Sequence, residues 1–221
     1  MQNVASVEGT FPTNPECFVC INNDHYFLQI LLSNRYKGDI GNDCLLSIDY
    51  VDKKIREPWP YQRRWSDRWF SHKFNGAGLK YEIALGIISG DICWVNGPFL
   101  CSKNDYDVFS AWPGPTLLNE LDEGERVETH NGYKRGDPSF VKSKSGWMHR
   151  PQLAKMRNTV RARHETVNGR MAKWGCLSKV WHHHRNKHQV AFFAVAVITQ
   201  LEIENGEPLF SVAYYNDHEL V

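Results

Sequence analysis

The order of its apolar segments is the feature that most constrains how this chain can fold. Segments with β character come first, a broken helical segment and one further strand-like run follow, and two long helical segments come last. In chain order the segments are 44–49, 80–89, 92–98, 104–121, 125–129, 151–174 and 187–205. This order predicts an α/β protein in which helices pack against a sheet.

The second and third strand-like segments are predicted to form a hairpin. Gly90-Asp91 separates them, and this dipeptide is typical of the tight turn between antiparallel strands. The first segment is expected to lie beside the pair. Pro113-Gly114-Pro115 is expected to divide the next segment into two short helical pieces.

Three regions are predicted along the 221 residues. Residues 1–40 are polar, and we interpret them as a poorly committed lead-in that could be the remnant of a truncated segment. Residues 41–212 are expected to form one folded domain, which is a length sufficient for its own core. Residues 213–221 are expected to be a C-terminal tail.

Composition argues against a secreted or membrane-spanning protein. The first ten residues carry neither a basic nor an apolar signal region, and the longest apolar run, Val190–Ile198, is about nine residues against the roughly 20 that a membrane span needs. The six cysteines are scattered, which favours free thiols. Cys17 and Cys20 have the spacing of half a zinc knuckle, but no second pair follows, so no zinc is assigned.

Charge is distributed very unevenly although the net charge is +1. Between Lys142 and His188 there are twelve Lys or Arg and a single acid, Glu165. One interpretation is a solvated face; the other is a phosphate-binding surface built around one functional acid. The segment 151–174 is predicted to be a helix with an apolar stripe at helical spacing, formed by Val160, Val167, Met171 and Trp174. Glu165 lies about 140° around this helix from Val160, so it should project away from the core.

Three polar residues occupy comparable places relative to these segments. Asp49 ends the first strand-like run, His130 follows the fourth, and Glu165 lies on the next helix. Further segments accompany them in a fixed order. They are SIDYVD (47–52), WFSHKFNGAGLKYEIALGI (69–87), SGDICWVNGPF (89–99), VETHNGY (127–133), RARHETVNGRMAKWGCL (161–177) and AVAVITQLEIENGEPLF (194–210).

With these motifs the chain resembles the Harbinger-like DDE endonucleases and transposases over about residues 40–212. The resemblance implies a ribonuclease-H-like mixed sheet flanked by helices. It also implies that three acids hold two divalent cations, Mg²⁺ or Mn²⁺, which activate a nucleophile for cleaving or joining DNA phosphodiesters. Asp49 matches the first acid of the family and Glu165 matches the last.

The middle acid is replaced here. The family pattern has an aspartate where VETHNGY places His130, and Tyr50 stands where a small glycine usually follows the first acid. Because an imidazole is softer than a carboxylate and carries no negative charge, it is a poor Mg²⁺ ligand, while Mn²⁺ should tolerate it better. Asp52 and Asp137 are candidates to compensate for the lost carboxylate.

Two functions therefore stay open. One is a metal-dependent DNA nuclease or transposase with impaired activity; the other is a catalytically inactive DNA- or protein-binding module on the same fold. A weaker third interpretation is a ribonuclease or resolvase variant that uses only Asp49 and Glu165. Strand cleavage by a His130→Asp variant would favour an otherwise intact nuclease.

Contacts with the DNA backbone are predicted for four cations on the helix that carries Glu165. They are Arg161, Arg163, Arg170 and Lys173. Tryptophans interleaved with arginines, Trp59, Trp65 and Trp69, could stack on bases or pack against the sheet. The resemblance further implies the nucleus as location, DNA as partner and a separate DNA-binding protein as a second partner; an oligomer is compatible with the sequence, and a membrane is not expected.

Overall fold

Among the residues that the structure describes, six strands form a mixed sheet at the centre of the fold. The computed structural model describes residues 30–38, 41–57, 67–111, 116–130, 133, 140–142 and 151–216. The strands are β1 Cys44–Lys54, β2 Phe70–Ser71, β3 Gly76–Gly86, β4 Ile92–Leu100, β5 Arg126–Glu128 and β6 Val141–Lys142. The helices are α1 Asp105–Ala111, α2 Pro151–Met171, α3 Gly175–Ser178 and α4 Arg185–Glu204, with 3₁₀ turns at Leu32–Tyr36 and Leu117–Glu120.

The sheet combines antiparallel and parallel pairing. Its order is β2-β3-β1-β5-β6, and β4 also pairs with β3. β1, β3 and β4 are antiparallel neighbours, whereas β1, β5 and β6 run parallel. The predicted α/β class, with a mixed sheet flanked by helices, is confirmed, and the arrangement is compatible with a ribonuclease-H-like fold.

Helices cover both faces of the sheet because the strands alternate apolar side chains between them. On one face Tyr81 and Ile83 of β3 pack against Val167 of α2 and Phe192 of α4. On the other face Ile48 and Tyr50 of β1 pack with Val108 and Phe109 of α1 and with Tyr133. The sheet is therefore an interior layer, with α1 on one side and α2 and α4 on the other.

The strand that carries Asp49 is longer than predicted. It was expected to end at Asp49, but β1 continues to Lys54 because it pairs with β3 as far as Lys54 opposite Gly78. Asp49 therefore lies within the strand. The hairpin of β3 and β4 and the short β5 are confirmed where predicted, and the helical segment broken by the Pro-Gly-Pro sequence has the two predicted pieces.

The long helix α2 has the amphipathic pattern that the sequence predicted. Leu153, Val160 and Val167 are buried at helical spacing, while Glu165 is exposed. The helix ends at Met171, three residues before the predicted end, and Trp174 lies beyond it with 40% of its surface exposed. Trp174 was predicted to belong to the buried stripe, and this was wrong because the chain has already turned out of the helix.

Some predictions are modified and others lie outside the described residues. Tyr214 and Asn216, predicted to be tail residues, are buried. Four of the cysteines are described, and all four are free thiols. Within the described part of the chain no helix is both long and apolar enough to cross a membrane. The predictions for Cys17, Cys20, Trp59, Trp65 and Asp137 fall on residues that the structure does not describe.

Candidate functional site

The parallel pairing of β1 with β5 brings Asp49 and His130 together. Ser47 of β1 is the register partner of Glu128 of β5, so two residues further along each strand Asp49 meets His130. His130 Nε2 lies 3.0 Å from Asp49 Oδ1. The register of the two strands thus brings together residues 49 and 130, which are 81 positions apart in the sequence.

A second carboxylate completes a charged cluster around His130. Asp105, the first residue of α1, places its Oδ2 atom 3.4 Å from His130 Nε2. The other oxygen of Asp105 accepts a hydrogen bond from the Lys80 ammonium group. With His130 protonated, two anions and two cations balance in this cluster, which we call the Asp49–His130–Asp105–Lys80 cluster.

These charges perturb the pKa values of both central members. Burial would raise the pKa of Asp49, but the hydrogen bond from His130, nearby positive charge and the Tyr50 N–H together lower it to about 2. For His130 burial disfavours the cation, yet the hydrogen bond to Asp49 and the charges of Asp49 and Asp105 raise its pKa above the ordinary value. Both shifts favour the ion pair.

Glu165 reaches the same region because two buried contacts fix α2 on the sheet. His164 Nε2 lies 3.0 Å from Ser47 Oγ, and Arg157 Nε donates to Glu128 Oε1 at 3.0 Å. Glu165 follows His164 on the helix, so its side chain points away from these two contacts and toward solvent. The last predicted acid is thus on the expected helix, exposed, and next to the strand that carries Asp49.

A cleft of about 210 Å³ between α2, the middle of β1 and the end of β5 holds all three predicted site residues. Asp49, His130 and Glu165 line it together with Arg161 and the buried His164. Burial lowers the pKa of His164 to about 4, so this imidazole is neutral near pH 7. The cleft therefore offers carboxylates, an imidazole paired with Asp49 and one exposed guanidinium.

This arrangement does not fit the pair of divalent cations that the resemblance implies. Among the described residues no group of three or more His, Cys, Asp or Glu side chains could hold a metal ion. His130 Nε2 is already directed at the oxygen of Asp49. Because this nitrogen donates its hydrogen to the carboxylate, it has no free lone pair for a metal.

Asp52 is not placed to act as the compensating carboxylate. Side chains along a strand alternate between faces, so Asp52 lies on the opposite face of β1 from Asp49. There its Oδ2 accepts a hydrogen bond from Ser71. The sequence hypothesis of compensation by Asp52 is therefore wrong, and the carboxylate that does approach is Asp105.

The four predicted DNA-contacting cations have different environments. Arg161 is exposed at the cleft, and Lys173 is exposed beyond the end of α2. Arg170 is half-buried and donates to the carbonyl of Glu207 at 2.6 Å. Arg163 is only 1% exposed. Because its guanidinium is buried among backbone carbonyls, it cannot reach a phosphate, and its prediction as a DNA contact was wrong.

Sequence reasoning missed Asp105 and His164 as members of the site. For Asp105 the sequence indicates only a place among the capping residues at the start of a helix, which is a common structural role. His164 stands beside Glu165 in the motif, but nothing local indicates that it turns inward to Ser47. Both roles depend on how α1 and α2 dock on the sheet.

Comparison with known proteins adds no relative. A scan against protein-family models and searches of curated proteins and of solved structures found no match to this chain.

Proposed function

We propose that this chain is a DNA-binding domain derived from a Harbinger-like DDE transposase, in which an internal ion pair has taken the place of the catalytic metal ions. The observation that carries the proposal is the 3.0 Å contact between His130 Nε2 and Asp49 Oδ1. The resemblance supports the descent, and the exposed cations of α2 support the binding of DNA.

The charges of the cluster support a domain that folds without metal. Three carboxylates gathered in one site repel one another unless cations neutralise them. Here His130 stands in place of one of the three and donates to Asp49, and Lys80 supplies a positive charge to Asp105. The site is balanced by its own side chains, so metal binding is no longer needed to hold the acids together.

Binding of DNA by this domain would rest on backbone contacts. Arg161 and Lys173 are exposed, and each phosphate they neutralise adds salt-sensitive affinity without sequence preference. Recognition of a particular sequence would then come from the separate DNA-binding partner that the resemblance implies. Location in the nucleus belongs to the same proposal and is tested by imaging a tagged chain.

A metal-dependent DNA endonuclease is the second candidate function. The observation that favours it is the convergence of Asp49 and Glu165, which match the first and last acids of the family, on one cleft. Under this alternative Mn²⁺ would have to displace the His130 proton. The two candidates therefore differ in whether the parent protein binds and uses a divalent metal.

Calorimetry with Mn²⁺ and Mg²⁺, run beside nicking of supercoiled plasmid and a DNA-binding assay, distinguishes the candidates. The proteins compared are the parent, Glu165→Gln and His130→Asp. We expect the parent to bind DNA without binding metal or nicking, and His130→Asp to gain metal binding. Nicking by the parent that disappears in Glu165→Gln would establish the nuclease instead. A parent that binds no DNA would refute the DNA-binding function.

A further inference from the structure

A second depression runs along the other side of α2 from the cleft. It is an open groove of about 570 Å³ between the exposed crest of α2 and the segment that follows α4. Ala154, Asn158, Thr159 and Ala162 form its floor with short side chains, and Phe210 stands on its far wall. Asn158 and Ala162 also line the cleft, so the groove and the cleft meet across the crest of the helix.

Phe210 is held in place by the buried Arg163. The Nε and Nη2 atoms of Arg163 donate to the Phe210 carbonyl at 2.9 and 2.7 Å, and Nη1 donates to the Ile87 carbonyl at 2.6 Å. The guanidinium also lies 5.8 Å from the centre of the Phe210 ring. One buried cation thus ties the backbone of Phe210 to the turn after β3.

The ring of Phe210 nevertheless remains accessible, with the residue 42% exposed. Exposed aromatic residues are often mobile, but this one has an anchored backbone and a cation beside its ring. Fixing the position in advance reduces the entropy lost when a flat partner packs on the free part of the ring. The local structure therefore favours Phe210 as a stacking platform rather than as an incidental surface residue.

The charge around the groove selects the kind of partner. Lys155 lines the groove, Arg161 stands on the cleft side of the same helix, and both are exposed. No acid is among the described residues that line the groove. Glu165 is the nearest acid along the helix, and it lines the cleft rather than the groove. An anionic partner with flat apolar faces fits this combination.

We propose that the groove binds single-stranded DNA, with one base stacked on Phe210 and the flanking phosphates at Lys155 and Arg161. Single-stranded rather than duplex DNA follows from Phe210, because base faces are accessible only when bases are unpaired. The short side chains of Ala154 and Ala162 let the strand cross the helix crest into the cleft. This inference rests on the proposed DNA-binding function and specifies the form of DNA that this surface binds.

Fluorescence anisotropy with fluorescein-labelled dT15 and with a labelled 15-base-pair duplex tests the inference. The variants are Phe210→Leu, which keeps the apolar surface but removes the ring, and Phe210→Trp, which keeps a ring. Tyr215→Leu is the matched control, because Tyr215 is 46% exposed in the same segment and does not line the groove. Circular dichroism and melting curves verify that each variant is folded.

We expect Phe210→Leu to weaken dT15 binding about 5- to 150-fold, the range for loss of one base–aromatic stack. Duplex affinity should change by less than about 2-fold, and Phe210→Trp and Tyr215→Leu should bind dT15 like the parent. Lys155→Gln should lower the slope of log affinity against log salt by about 0.7 for the single strand.

Each failure has a distinct meaning. Unchanged dT15 binding by Phe210→Leu, with duplex and single strand still bound by the parent, would overturn the groove inference and leave the DNA-binding function standing. A parent that binds neither DNA would overturn the proposed function, and the inference with it. Tighter binding of rU15 than of dT15, lost in Phe210→Leu, would overturn the assignment to DNA.

Discussion

Replacing His130 by aspartate tests most directly whether an internal cation balances the site. The change removes the imidazole that lies 3.0 Å from Asp49 and 3.4 Å from Asp105, and it puts a third carboxylate there. We expect the variant to be less stable than the parent at pH 7 in the presence of a chelator, and to regain stability when Mn²⁺ is added.

The magnitude follows from the pKa of Asp49 and from Coulomb's law. The difference between the ordinary value of 3.8 and the native value of about 2 corresponds to about 2 kcal/mol. His130→Asn, which removes the charge without adding another, should therefore cost about 2 kcal/mol. In His130→Asp, repulsion between carboxylates about 4 Å apart destabilises the fold by up to about 4 kcal/mol at an effective dielectric of 20. Uptake of a proton by one of the carboxylates limits this cost. We expect His130→Asp to lose about 3–5 kcal/mol in total.

The sign of the pH dependence supplies a second check. Asp49 has a lowered pKa, so its contribution to stability is present above pH 3.8 and is lost as pH falls toward 2. His130 has a raised pKa, so its contribution is complete below pH 6.5 and is lost as pH rises through the native value. The stability deficit of His130→Asn should therefore be largest near pH 5–6 and should shrink at alkaline pH.

Differential scanning fluorimetry and urea unfolding measure these differences. For a chain of this length each kcal/mol lowers Tm by about 2–4 °C, so His130→Asp should melt about 6–20 °C below the parent with EDTA. Millimolar Mn²⁺ should recover part of the loss in His130→Asp and none in His130→Asn. A His130→Asp variant as stable as the parent, or one indifferent to Mn²⁺, would refute the reasoning.

Three further substitutions probe the buried polar groups that support the site. Burial raises the pKa of Glu82 to about 7, so the stability of the parent should fall by up to about 3 kcal/mol as pH rises from 4.5 to 7. Glu82→Gln should remove most of this pH dependence, which urea titrations measure. Burial lowers the pKa of His164 to about 4, so the stability of the parent should fall as pH drops from 6.5 to 4. His164→Phe should remove this acid sensitivity. A parent whose stability does not change over this pH range would contradict the prediction. Arg157→Met breaks the ion pair with Glu128, in which both side chains are 4% exposed, and leaves Glu128 charged. We expect this variant to lose about 3–5 kcal/mol of stability, measured by chemical denaturation. Arg161→Met, at the exposed edge of the same helix, should cost under about 1 kcal/mol.

Local sequence pattern was sufficient for most of the secondary structure. The β3–β4 hairpin followed from two β-type runs around Gly90-Asp91, and α2 followed from apolar residues at helical spacing. Such elements depend on interactions between residues close in the chain, which a sequence displays directly. The end of β1 was misjudged because pairing with β3, a long-range interaction, extends that strand past its apolar run.

Only part of the candidate site could be predicted from the sequence. The motifs indicated Asp49, His130 and Glu165, and the structure brings all three to one cleft. The ion pair between Asp49 and His130 required the parallel register of β1 and β5. The arrival of Asp105 required the docking of α1, which its local sequence does not specify.

The chain's order of strands and helices, its uneven charge and the identity of its candidate acids were determined by the sequence alone. Tertiary structure decided what each charge does. Arg161 and Arg163 are two residues apart on one helix, yet the first faces solvent and the second binds backbone carbonyls and holds Phe210 in place. The physical reason is that burial and partner choice depend on which surfaces pack together, and packing joins residues that are far apart in the chain.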